Sequence, residues 1–484
     1  MSKLILGPIV GGLSHDSAHL WARASGEGIL HAWYGEKSNL SDAQRVDLAQ
    51  KLTEETGFAG FVPLNNLSHK TEYHYTVSLD DKLPDTAKEY PSFTTFPLEN
   101  EAQSFSFAFG SCFRPEGEHP GRIFDKLEHL RSLWAKDSHN ALRFIMLLGD
   151  QIYADDCKHN NLGKVCRSVE EYRKVYAHTW SRPPLRALLK NLPAFMILDD
   201  HEVDDDWSWT DSNRKYARIS RWDRFKRLIQ RRSKAERKIE KKNVQEALQA
   251  YWEHQGMHAR GYKNILTYDP ITKKYPLNPD DETSFAYSFN YGAAAFFVLD
   301  TRTRRIKRKF HKNTLLGEDQ WKRLMDWLDN VKDTHPVKFI VTSSALLFRM
   351  YADFPQDRWT GFRGERKKLL EYLADNNIEG VYLLAGDLHS AHAVSAELRG
   401  SDGHKFPLWE FCSSPFEQTT NWLAKGTYFP LMHRSIQNQQ LHFVCAEHNF
   451  GVVRVQFSKQ DKPKVSFEVH RLGGASPVIL DTSI

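Results

Sequence analysis

The chain of 484 residues has no apolar run long enough to cross a bilayer and no paired-cysteine spacing, and its opening residues are not expected to act as a secretory leader. A membrane helix needs about 20 consecutive apolar residues. The opening Met1-Ser2-Lys3-Leu4-Ile5-Leu6-Gly7-Pro8 is far shorter and is broken by Gly and Pro. The expected location is therefore the cytoplasm. Five cysteines, Cys112, Cys157, Cys166, Cys412 and Cys445, are an odd and scattered set, which argues against a disulfide framework or a zinc ribbon. His-Glu-x-x-His is absent, which sets aside a zinc peptidase. There are no internal repeats.

What is present is ordinary for a globular protein, 40% hydrophobic and 26% charged. The length exceeds what one compact core accommodates, so two domains, or one large domain with an appendage, are expected. The net charge of +5 has a local origin. Between Arg214 and Asn243, fourteen Lys or Arg face three carboxylates, so the rest of the chain is net acidic. Ile219, Trp222, Phe225, Leu228 and Ile229 recur there at spacings of three and four, an apolar stripe on a basic helix. Such a helix either packs its stripe on the core or draws in a polyanion, nucleic acid or anionic lipid.

From Leu4 to Phe96, short alternating runs such as Glu72 to Leu79 are separated by polar turns, predicting a small antiparallel sandwich over residues 1–98. Pro97 to Glu101 reads as a linker into a second domain, 99–484. There strands and helices alternate, an α/β pattern with helices over Arg122 to Trp134, Leu185 to Leu189, Gly317 to Val331 and Glu365 to Asn376. Three strands close the chain, Leu441 to Cys445, Gly451 to Phe457 and Lys464 to Val469, placed at the edge of a second sheet.

The apolar run Phe144 to Leu148 ends on Gly149, Asp150 and Tyr153, as a buried strand does when it delivers polar groups at its tip. Asp150 has two oxygens that can bridge two cations, and Tyr153 can join a cation acidic enough to deprotonate it. A surface turn rich in Asp and Gly would carry the same residues. Four other runs end likewise, on Cys112, on Asp200 with His201, on Asp300, and on Asp387 with His389. Buried ionisable groups need partners, either cations or the plentiful arginines. Asp387 and His389, two apart, share a direction if the strand persists, while His392 reads as a hydrogen-bonded histidine outside the ligand set. The run Asp199 to Asp206 holds six carboxylates in eight residues, a density that repels itself without counter-charge. Thiolate and phenolate favour iron, and carboxylates suit calcium, magnesium or manganese; an inert strand-end cysteine is the alternative for Cys112.

The ordered set Gly110-Ser111-Cys112, Gly149-Asp150-Gln151-Ile152-Tyr153, Asp199-Asp200-His201-Glu202, Leu299-Asp300-Thr301-Arg302, Trp359-Thr360-Gly361-Phe362 and Gly386-Asp387-Leu388-His389 resembles the alkaline phosphatase D family of metallophosphoesterases. The resemblance implies a fibronectin-like domain followed by a calcineurin-like αββα sandwich that hydrolyses phosphoesters at an iron and calcium centre, with zinc a further candidate metal. It implies that Cys112, Asp150 and Tyr153 hold iron, with Asp150 shared, and that Asp200, Asp387 and His389 complete the ligands. Asp205 and Asp206 stand where the family often has asparagine, making Asp205 a further ligand candidate. In this scheme the metals activate hydroxide, His201, held by Glu202, protonates the leaving group and Arg302 clamps the phosphate. The rival reading is a phosphate or nucleic-acid binding protein without turnover on the same fold.

Overall fold

The structure is a computed structural model that describes residues 2–84, 89–116, 118–137, 140–207, 241–259, 284–306, 313–350 and 358–482. The basic amphipathic helix expected over 214–243 lies outside the described residues except at its end, where a helix runs Lys241–His254.

Two sheets lie face to face. In the first, Ala194–Met196, Leu142–Leu147 and Phe105–Gly110 run parallel, followed by the antiparallel Asn449–Gln456, Lys464–Arg471 and Val478–Asp481. In the second, Ala294–Val298, Val337–Val341, Val381–Ala385 and Lys405–Cys412 run parallel, with Tyr287–Tyr291 at one edge and Ala391–Arg399 and Ile436–Cys445 at the other. The period of two explains the layering. Phe105, Phe107 and Phe109 face the second sheet, while Ala108 faces helices on the outside. Between the sheets, Phe107 stacks on Phe144 at 4.9 Å and meets Phe339 edge-on at 5.4 Å. Each such ring, fully buried, contributes about 1.5–3 kcal/mol.

Helices Arg122–Trp134, Val169–Trp180, Pro183–Asn191 and Lys241–His254 cover the first sheet through residues such as Phe124, Tyr172, Leu188 and Leu248. Glu318–Val331 and Arg363–Asp375 cover the second through Leu324, Leu328, Leu369 and Leu373. This is the expected αββα sandwich. Val169–Trp180, which the sequence reading omitted, starts on a capping box: Ser168 and Glu171 bond reciprocally. The closing strands differ from expectation. Asn449–Gln456 sits inside the first sheet against Phe105–Gly110, and only Ile436–Cys445 is an edge of the second.

The amino-terminal region is all-β, with a sheet of Leu4–Gly11, Ala18–Ala24 and Ala59–Leu64 opposite one built on Gly28–Gly35 and Glu72–Ser78. It seats on the first sheet's helices: Trp21 Nε1 donates to Glu253 O at 3.0 Å, and Arg23 Nη1 to Arg173 O at 3.1 Å. No helix among the described residues is long and apolar enough to cross a membrane.

Candidate metal centre

The carboxyl ends of the parallel strands from both sheets meet at one place. Gly149 and Gly386 permit the approach. A Cβ on Gly149, which has φ +94°, would stand 2.4 Å from Asp199 Cβ, and one on Gly386 would stand 2.6 Å from Ser111 Oγ. Asp387 N donates across the sheets to Ser111 Oγ at 3.0 Å, and His389 N donates within the second sheet to Ser414 Oγ at 3.1 Å, which in turn donates across to Cys112 Sγ at 3.3 Å.

Four of the expected ligands, Cys112, Asp150, Asp387 and His389, have φ between 55° and 62°, a region that non-glycine residues avoid. Such strain persists only where surrounding contacts over-determine it, and it concentrates at functional sites.

Three donor groupings contain Asp150, each with its ligand atoms within 4.8 Å of one another: Cys112 and His389; Asp200 and His201; Asp199, Asp200 and Asp387. A fourth joins Asp200, Asp205 and Asp206. His389 thus groups with Cys112 rather than with Asp200 and Asp387, its expected companions. Tyr153 lies beside them, its hydroxyl donating to Asp150 Oδ2 at 3.3 Å and its ring 4.2 Å from that of His201.

The electrostatics are those of a site built for positive charge. Burial, then Cys112, Asp200 and Asp199, push the Asp150 carboxyl well above its usual range against the pull of His201. Burial also raises Asp199, opposed by Arg302. Burial and Asp387 push the Cys112 thiol up to about 12. Burial, His201 and Arg358 bring His389 down to about 3, leaving its nitrogen lone pair free of a proton. Asp199 Oδ2 is buried with no hydrogen-bond partner. A cation would stabilise the buried carboxylates and the thiolate together and could take the His389 lone pair, so the donor set fits a metal.

Three assignments from sequence change. Glu202 does not hold His201; its carboxylate accepts the backbone N–H groups of Asp150, Gln151 and Asp199. The partner of His201 is Asp155, at 2.8 Å from Nδ1. Burial disfavours charge on His201, but Asp155, Asp200 and Asp150 outweigh it and raise its pKa well above the usual value. Arg302 is fully buried, with Nε 2.5 Å from Asp199 Oδ1 and Nη2 3.5 Å from Asp200 Oδ1, so it neutralises carboxylates instead of reaching for phosphate. Asp300 is an internal cap, accepting the N–H groups of Phe285, Arg302 and Thr303, and joins no donor grouping among the described residues.

The sequence reading passed over two arginines at the rim. Arg358 Nε lies 3.6 Å from Asp387 Oδ2, and the Arg114 guanidinium sits 5.8 Å from the Tyr153 ring centre with Nη1 on Asp156. Arg358 directly precedes the Trp359-Thr360-Gly361-Phe362 motif, a signal that was available. His392 is buried against Glu410 at 3.2 Å, as expected of a core histidine.

Face-to-face sheets between helices, with Asp, His and Cys donors at the strand tips, define a calcineurin-like metallophosphoesterase fold. The purple acid phosphatase PPD1 of yellow lupin (Lupinus luteus) shares it, with a TM-score of 0.54 over 98% of this chain and 74% of that one at 12% identity. The structure of PhoD matches further, with a TM-score of 0.70 over 99% of this chain and 88% of that one at 18% identity. Alkaline phosphatase D of Bacillus subtilis (strain 168) is 21% identical over 364 residues, 69% of this chain and 53% of that protein, so the chain spans about half the length of this relative. The PhoD-like phosphatase family profile matches residues 119–465, and the chain belongs to that family.

Proposed function

We propose that the protein hydrolyses phosphoester bonds, monoesters or diesters, at a centre of two or more metal ions. The observation that carries this reading is the sharing of Asp150 between the Cys112 and His389 donors and the Asp200 and Asp387 donors. Cys112 and Tyr153 suit iron on one side; Asp200, Asp387 and Asp205 suit calcium, with magnesium, manganese and zinc as alternatives. Bound there, the cations would supply Lewis acidity to the phosphoryl oxygens and acidify water.

The chain's own groups do the rest. Asp155 fixes the His201 ring through Nδ1, leaving Nε2 to donate a proton to the leaving oxygen. Arg358, at the lip beside Asp387, attracts and orients the phosphate. Arg302 keeps Asp199 and Asp200 in place. The amino-terminal sandwich, residues 1–98, is the support on which the helices behind Glu202 rest.

The test is turnover of a bis-aryl phosphodiester and an aryl phosphate by wild type and Asp150→Asn, with metal quantified in both. Wild type should turn over at least one substrate, lose activity on chelation, and lose both activity and metal in the variant. No turnover by metal-replete wild type would favour the binding-protein reading.

A further inference from the structure

The eleven residues Trp422 to Met432 hold four large apolar side chains open to solvent: Trp422 at 72%, Leu423 at 47%, Phe429 at 37% and Met432 at 89%. The stretch begins at the lip of the metal centre, where Asn421 donates its backbone N–H to His389 O at 2.7 Å and its side-chain amide to Leu388 O at 3.3 Å. Its backbone is pinned. Ala424 is buried, Phe429 N donates to Arg349 O at 2.8 Å, and Leu431 N to Gln439 Oε1 at 2.9 Å. These side chains are therefore held outward by an anchored segment.

Within the segment itself the charge is of one sign. Between Gln418 and Ser435 the charged side chains are Lys425 and Arg434, with no carboxylate. Arg434 Nε pairs with Glu371 Oε1 at 2.6 Å, which ties the segment to the helix Arg363–Asp375. The first two turns of that helix expose Arg363, Lys367 and Lys368, while Glu365 turns inward to accept Leu315 N and Leu316 N. His433, next to Met432, lies within electrostatic reach of one carboxylate, Glu371, and of the cations Lys367, Arg434 and Arg366.

We propose that this face docks on a phospholipid bilayer carrying anionic headgroups, with the lip of the metal centre against the membrane. Small ligands take concave pockets, whereas Met432 and Trp422 stand out from the surface. Outward Trp, Leu, Phe and Met ringed by Lys and Arg match the interface, where apolar groups enter the acyl boundary and cations meet phosphate. Docking is argued from the surface alone. Its corollary, that phosphoesters in or on the membrane are presented to the site, rests on the phosphoesterase reading.

The experiment is co-sedimentation of the full chain with vesicles of phosphatidylcholine alone and of phosphatidylcholine with phosphatidylserine. The proteins are wild type, the pair Trp422→Ser with Met432→Ser, and the pair Lys367→Gln with Lys425→Gln. Wild type should prefer the mixed vesicles. The apolar pair should weaken partitioning by about tenfold or more. The lysine pair should weaken binding to mixed vesicles alone. Unchanged melting temperature and unchanged turnover of a soluble bis-aryl phosphodiester would show both variants intact. Absent binding by wild type, or undiminished binding by the apolar pair, overturns the proposal. So does a wild-type dimer that the apolar pair dissolves, which would give the face to a second copy. Vesicle binding as expected with no soluble turnover by metal-replete wild type would remove the phosphoesterase reading and leave docking standing.

Discussion

Replacing Glu202 by Gln tests whether one buried carboxylate holds both loops that carry the candidate metal donors. Oε2 accepts from Asp150 N and Asp199 N, each at 3.1 Å, and Oε1 accepts from Gln151 N at 2.7 Å and Gln255 Nε2 at 3.1 Å. The amide keeps the shape of the side chain but turns one acceptor into a donor. In either orientation two of the four N–H groups then face an NH2. Hydrogen bonds to a charged group are worth about 1.5–3 kcal/mol each, so losing two costs about 3–6 kcal/mol. Neutralisation offsets part of this, because burial pushes the Glu202 carboxyl up and ionisation there is itself costly. The expected net loss is about 2–4 kcal/mol, read from urea unfolding followed by circular dichroism. Bound metal, measured by elemental analysis, should fall in the same sample, since Asp150 and Asp199 lose their backbone anchors together. A loss below about 0.5 kcal/mol with full metal retention would refute the reasoning, because ordinary surface changes lie within that size.

Arg302→Met should destabilise the protein by about 3–5 kcal/mol, the cost of leaving a buried charge unpaired. Metal content should drop; a rise in KM with metal content unchanged would return Arg302 to phosphate binding. Glu468 tests pH dependence away from the centre. Burial opposes its ionisation, but His470 and Arg454 outweigh burial and bring its pKa from the usual 4.5 to about 2. A folded value below the unfolded one gives stability that is complete above about pH 4.5 and lost as pH falls toward 2, up to about 3 kcal/mol. Glu468→Gln should therefore narrow its stability gap to wild type as pH drops through that window; a gap independent of pH would overturn the assignment.

The strand tips were legible because an apolar run closed by Gly and a polar group has few explanations. Cys112, Asp150, Asp200 and Asp387 do converge, drawn from both sheets. What lay beyond the sequence was the partner of each charge. Glu202 adjoins His201 in the chain, yet its side chain caps the loops behind. Asp300 looks like the other strand-end carboxylates, and only the fold shows its oxygens filled by N–H groups that follow it. That turn had a cue, since Asp readily accepts from the backbone two and three residues on. The helix Val169–Trp180 was overlooked because Tyr, His, Thr and Trp are weak helix formers, although Ser168-Val169-Glu170-Glu171 spells its cap. Ala391–Arg399 and Lys405–Cys412 escaped notice because both are buried over much of both faces, which blurs the alternation.

The bonds from Asp387 to Ser111 and from His389 through Ser414 to Cys112 cross the seam between layers whose interior contacts are largely aromatic and aliphatic. Those contacts are non-directional and tolerate slippage; ion ligation does not. With the centre loaded as proposed, ion occupancy and alignment of the two layers would be thermodynamically linked. Ions held there as proposed would act as rivets, and their removal would loosen the molecule along its midline before its periphery.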